Sequence, residues 1–283
     1  MLFGLLFGGR PKPLDRATAR EALATLHEVV LMPYDLATAK PPKPAAAGGP
    51  KDLVVFLHGF CASPGVFRPF RERLAREGIA SASFMHLPGA SVTTIAKKLA
   101  DLVATIPEDI RVHIVGHSLG GLAARWYVQE LGGEDRVSRT ISLGSPFGGT
   151  EVARRFPILV GKDLQRDGAF LTQLRARAQS VATPHVSFVG SRDAVVIPIE
   201  GALLAGYPVV VRPNVGHNAM LYDRPTMDAV VELVRECAAS PRPKATVAVE
   251  GGEPRAAERS TSVVGAGPSA TDVVVDTSRA AAE

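Results

Sequence analysis

A chain of 283 residues with 46% apolar residues can bury one large core, and single α/β domains commonly reach this size. Lys and Arg outnumber Asp and Glu by 32 to 28, and the arginines are spread over many helical patterns instead of gathering with aromatics on one face, which argues against a nucleic-acid footprint. No apolar run reaches the roughly 18–20 residues of a membrane-spanning helix.

Met1–Arg10 is apolar but lacks a basic leader and a small-residue cleavage site, so it is a poor signal peptide. It reads as an arm packed on the domain, or as a shallow contact with a lipid surface, and the cytoplasm is the default compartment. A helix is expected over about 15–30, followed by the Pro-, Ala- and Gly-rich linker Lys40–Pro50, so that residues 1–50 precede the main domain at 51–239.

Within that domain, strand-like runs at 53–57, 79–84, 110–115, 137–143, 184–190 and 207–212 alternate with helical patterns near 64–77, 91–105, 119–131 and 225–238. This alternation predicts an α/β fold: a doubly wound, mostly parallel sheet with functional loops at its carboxyl edge. The stretch 147–180 is too long for a simple crossover, and its apolar residues predict a short helical cap, with Phe147 lining a substrate pocket and Leu171 and Leu174 in the core. Residues 240–283 lack sustained periodicity and are expected to be a disordered tail. Cys61 and Cys237 offer no disulfide framework, and Cys61 is expected as a small buried hydrophobe.

Gly116-His117-Ser118-Leu119-Gly120-Gly121 stands between a strand run and a helical pattern. A serine can be raised above a sheet edge on so tight a turn only if the residues two positions away on either side lack side chains, and Gly116 and Gly120 meet that demand. A reactive serine further needs a base, an acid to orient it and donors for an oxyanion. Asp193 and His217 follow later strand runs in the order serine, acid, histidine. Leu53–Leu57 ends in His58-Gly59-Phe60, where the backbone N–H groups of Phe60 and Leu119 could face a developing oxyanion. Asp163 and Asp223 are rival acids, one within the cap and the other after His217. His58 and His117 read as braces for the two loops, and His86, His113 and His185 as structural histidines.

Together, HGF at 58–60, GHSLGG at 116–121, GSPFGGT at 144–150, Asp193 and VGHN at 215–218 resemble the α/β-hydrolase superfamily, and within it the bacterial lipases and esterases. The likeness covers about residues 50–238. It implies hydrolysis of carboxylic esters through an acyl-serine, with Ser118 as nucleophile, His217 as base and Asp193 as its orienting acid, and the apolar cap argues for hydrophobic acyl chains. The implied partner is a small-molecule or lipid ester, with no cofactor. The paired aspartates of calcium-binding lipases are not clearly reproduced around Asp193, so no metal is carried over. The same residues could serve an acyltransferase or thioesterase, and a third reading is a non-catalytic binding module on this fold.

Overall fold

The computed structural model describes residues 15–38, 51–87, 89–155, 159–239 and 273–275. Its elements are helix α1 (Arg16–Thr38), strand β1 (Asp52–Leu57), helix α2 (Arg68–Ala75), β2 (Ala80–Ser83), α3 (Val92–Ala104), β3 (Arg111–His117), α4 (Leu119–Glu130), β4 (Val137–Leu143), α5 (Ala169–Ala176), β5 (His185–Gly190), β6 (Val209–Arg212), α6 (Arg224–Ala239) and β7 (Val273–Val275). The strands form one sheet in the order β2-β1-β3-β4-β5-β6-β7, with β1 to β6 parallel and β7 antiparallel to β6.

Both faces of the sheet are covered, which is why its central strands read as near-continuous apolar runs. In β1, Leu53, Val55 and Leu57 enter one core layer with Leu99 of α3 and Leu122 of α4, while Val54 and Phe56 enter the other with Phe70 of α2 and Val230 of α6. This is the period of two that a pleated strand imposes. On the second face Phe56 stacks on Phe67 at 4.6 Å and meets the edge of Phe70 at 5.8 Å.

α1 runs well past the expected end near residue 30, continuing through Pro33. Proline interrupts a helix locally by removing one N–H, and beyond it Asp35 ties the last turns to the body by accepting from the Gly65 amide at 2.6 Å. Val273–Val275, inside the segment expected to be disordered, are three consecutive β-branched residues that pair with Val209–Val211 at the sheet edge. The rest of that segment lies outside the described residues, as do Met1–Arg10 and the linker Lys40–Pro50.

The stretch between β4 and β5 holds short 3₁₀ turns and α5. Its apolar side chains turn into the core: Phe147, Leu171, Leu174 and Ala178 join the layer formed by α3, α4 and the sheet. Phe147 is therefore not pocket lining. It is fully buried, with the edge of its ring against His185 at 5.3 Å, because the turn after Gly144 directs its side chain back under the strand ends. Leu171 and Leu174 are core, as expected.

Arg125 of α4 is also fully buried. Its guanidinium donates to Thr140 Oγ1, the carbonyls of Thr183 and Ala178, and Tyr207 OH at 3.0–3.3 Å, and lies 4.9 Å from the centre of the Tyr207 ring.

Candidate active site

β3 passes into α4 through Ser118, whose φ of 52° and ψ of −119° lie outside the regions ordinary residues occupy. The glycines around it leave no room for a side chain. A Cβ on Gly116 would fall 2.3 Å from the Gly121 nitrogen, and one on Gly120 would fall 2.1 Å from the Leu57 carbonyl oxygen. Ser118 N–H donates to the Leu143 carbonyl at 2.9 Å, which fixes the turn against the end of β4. The serine itself is half-buried.

The loop after β1 lies directly against this turn, since a Cβ on Gly59 would sit 3.1 Å from Ser118 Cβ and 3.2 Å from His117 Nδ1. Phe60 is the next residue of this loop. Leu119 opens α4, so its amide is among the first N–H groups of a helix, which have no acceptor within the helix. His58 supports the loop from below: its ring stacks on His86 at 3.7 Å and its Nδ1 donates to the Gly59 carbonyl at 2.9 Å. Burial pushes the His58 imidazole down to about 3, so it stays neutral. Cys61, expected to be buried, is instead exposed, because its φ of 53° turns the side chain out of the loop.

Asp193 and His217 come from the loops after β5 and β6, and they meet. His217 Nδ1 donates to Asp193 Oδ2 at 2.7 Å, and Asp193 Oδ1 accepts from the amides of Val195 and Val196 at 2.8 and 2.9 Å. Both groups rest on Gly144, whose Cβ, if present, would be 3.0 Å from His217 Nδ1 and 3.1 Å from Asp193 Oδ2. Gly144 directly follows Leu143, the residue that holds Ser118, so serine, histidine and acid share the end of β4. His117, beside the serine, donates from Nε2 to the His217 carbonyl at 3.2 Å, and burial lowers its imidazole to about 3.

Burial opposes the charged form of both members of the pair, but their mutual attraction and hydrogen bonding outweigh it. The Asp193 carboxyl is held below its ordinary value, with help from the Val195 and Val196 amides. The His217 imidazole is raised. The rival acids have other partners. Asp223 accepts from Arg212 Nε at 3.0 Å and caps α6 through Thr226, while Asp163 accepts from the Val92 amide at the start of α3. His113 pairs with Asp52 at 2.9 Å, and His185 lies among Thr140, Ser142 and Ser187.

Helix α1 adds residues that no local pattern announced. Glu21 accepts from the amides of Asn218 and Ala219 at 2.9 and 2.8 Å, and its carboxylate lies so close to Gly216 that a Cβ there would be 2.4 Å from Oε2. Thr25 Oγ1 accepts from Asn218 Nδ2 at 2.9 Å. One turn further, Glu28 is buried with Oε1 unpartnered among the described residues, and burial raises its carboxyl to about 8. The only hint in the sequence was that α1 carries acids at positions three and seven apart from Thr18 and Glu21 along one face, a spacing that names no partner.

The palmitoyl protein thioesterase family matches residues 54–188, from β1 into β5, a span that includes Ser118 and ends before Asp193 and His217. No curated protein matches the chain. Among solved structures, a Bacillus licheniformis lipase in its mature form superposes with a TM-score of 0.56 at 17% identity, over 69% of this chain and 96% of the lipase. A metagenomic carboxyl esterase gives 0.55 at 16% identity over 70% and 79% of the two chains, and a Paleococcus ferrophilus monoacylglycerol lipase 0.52 at 15% over 67% and 96%.

Proposed function

We propose that this chain, which has the α/β-hydrolase fold, is a serine hydrolase that cleaves carboxylic esters of hydrophobic acyl groups through an acyl-serine. The observation that carries the reading is the 2.7 Å Asp193–His217 bond, which rests on the same strand end that holds Ser118 in its left-handed turn. With Nδ1–H committed to Asp193, the neutral imidazole presents Nε2 as a base. His217 takes the Ser118 proton as Oγ attacks the ester carbonyl, and the N–H groups of Phe60 and Leu119 stabilise the oxyanion. The imidazolium then protonates the departing alkoxide. Water, deprotonated by the same base, cleaves the acyl-serine and regenerates the hydroxyl. Asp193 stays ionised throughout, in keeping with its lowered pKa.

The preference for apolar acyl groups is supported by the loops at the carboxyl ends of β1, β2 and β5, which expose Phe60, Leu87 and Ile197. The lipase and esterase neighbours point the same way. A second reading, acyl-thioester cleavage by the same residues, is favoured by the thioesterase family match over 54–188. Rates on paired oxygen and thiol esters of one acyl chain decide between the two. A fluorophosphonate is expected to label Ser118, and Ser118→Ala to abolish turnover while the melting transition is retained. Labelling at another residue, or turnover by the folded variant, removes the assignment.

A further inference from the structure

Leu23, Leu26, Val30 and Tyr34 of α1 are 68%, 59%, 62% and 61% exposed, and among the described residues no other element carries as many large apolar side chains in water. Their spacing places them on one stripe, within an arc of about 80° at 100° per residue. The charges of α1 are sorted around this stripe. Arg16 and Arg20 fall on the same side, whereas Glu21, Glu28 and Asp35 project about 120–160° away from Leu23. Every one of those carboxylates faces the body: Glu21 the Asn218 and Ala219 amides, Glu28 the interior, Asp35 the Gly65 amide. Asp15, just before the helix, is paired with Arg192.

The outward face of α1 is therefore apolar and cationic, with none of the helix's own carboxylates on it. Beside it runs a groove of about 940 Å³ lined by Leu23, Leu26, Val30 and Tyr222, with Arg20 and Arg224 in its walls; the one carboxylate among its lining residues, Asp223, is paired with Arg212. The sequence leading into α1 has the same chemistry, since Met1–Leu14 contains Arg10, Lys12 and a run of Leu and Phe but no acid. An ordinary solvated helix face would mix both signs of charge and carry few aliphatics. Aliphatic side chains flanked by arginines suit the interface of a bilayer bearing anionic headgroups, where the apolar stripe leaves water and the guanidinium groups meet phosphate.

We propose that the outward face of α1 docks the protein on anionic lipid bilayers. This deepens the reading of the protein as a hydrolase of hydrophobic esters, because α1 also grips the His217 loop and so would hold the active site at the lipid surface. Docking and catalysis are measured separately, so either reading can fail alone. The full-length protein is sedimented with vesicles of phosphatidylcholine, with and without phosphatidylglycerol, and assayed in parallel on a water-soluble short-chain ester. The expected result is sedimentation with phosphatidylglycerol vesicles that weakens as salt is added. The combined variant Leu23→Ser, Leu26→Ser, Val30→Ser should lower the partition coefficient by about tenfold or more while leaving soluble-ester turnover unchanged. Arg16→Gln with Arg20→Gln should remove the preference for the anionic vesicles. Equal partitioning of the parent and the triple variant, or no sedimentation with either vesicle, overturns the proposal. So does a dimer in analytical ultracentrifugation that the triple variant dissolves, since the face would then serve a second copy of the chain.

Discussion

The serine turn and the His217 loop are held in place by opposite means. The turn is fixed by backbone packed on backbone: Gly116 against Gly121, Gly120 against Leu57, the Ser118 amide on Leu143. The histidine loop is fixed by carboxylates that reach it from elsewhere, Asp193 on the imidazole and Glu21 on the amides that follow it. Contact between backbones tolerates no added atom, whereas a hydrogen-bonded carboxylate can be replaced by a weaker acceptor. The first arrangement should fail by losing the fold, and the second by degrees.

Gly120→Ala is the harshest test of that contrast. The new methyl would meet the Leu57 carbonyl, a backbone atom of a central strand that cannot rotate away, and a loss of about 3 kcal/mol or more is expected in denaturant unfolding. Asp193→Asn should leave the melting transition nearly in place but lower kcat by about 10³–10⁴, because an amide can donate to Nδ1 and stabilise the wrong tautomer. Asp223→Asn supplies the control. It weakens the Arg212 contact and the cap of α6, so about 1 kcal/mol of stability is lost with kcat preserved. Equal losses of kcat in the two variants would show that Asp193 has no special relation to the histidine.

Glu21→Gln keeps the shape and one acceptor oxygen but loses the second acceptor and the charge. A fall in kcat of about fivefold to tenfold is expected with KM little changed, together with slower fluorophosphonate labelling and recovery in Glu21→Asp if that shorter acid still reaches the amides. A last test concerns Glu28. Burial raises its carboxyl from an ordinary value of 4.5 to about 8, so between those limits the folded chain keeps a proton that the unfolded chain releases. Its contribution to stability is complete at low pH and is lost as pH rises toward 8. Glu28→Gln should flatten the decline in melting temperature between pH 5 and 8, and an unaltered slope would mean the carboxyl is not buried in solution.

The same contrast explains what could be read from the sequence. The serine turn was legible because all its determinants lie within six consecutive residues and the chemistry of the backbone demands glycine there. Asp193 stood out from Asp223 by its place between Ser118 and His217 in chain order. Glu21 could not be read: its partners are 197 and 198 residues away, and an acid on an amphipathic helix carries no mark of what it will face. Phe147 was misread because proximity in sequence to a strand's functional end does not say which way a side chain turns after the strand. Cys61 was misread because its left-handed backbone, which directs it outward, has no signature in a residue type that usually avoids that conformation.

Arg125 decides which end of the segment between β4 and β5 is held to the body. Among the described residues its hydrogen-bond partners are neutral oxygens, two of which belong to the carbonyls of Ala178 and Thr183, at the far end of the segment that joins β4 to β5. Lifting that end would strand a guanidinium in the interior, at a cost of several kcal/mol. The segment is thus pinned at its exit from α5. Tethering the 178–183 end to the body by a cross-link should therefore leave both the melting transition and turnover unchanged.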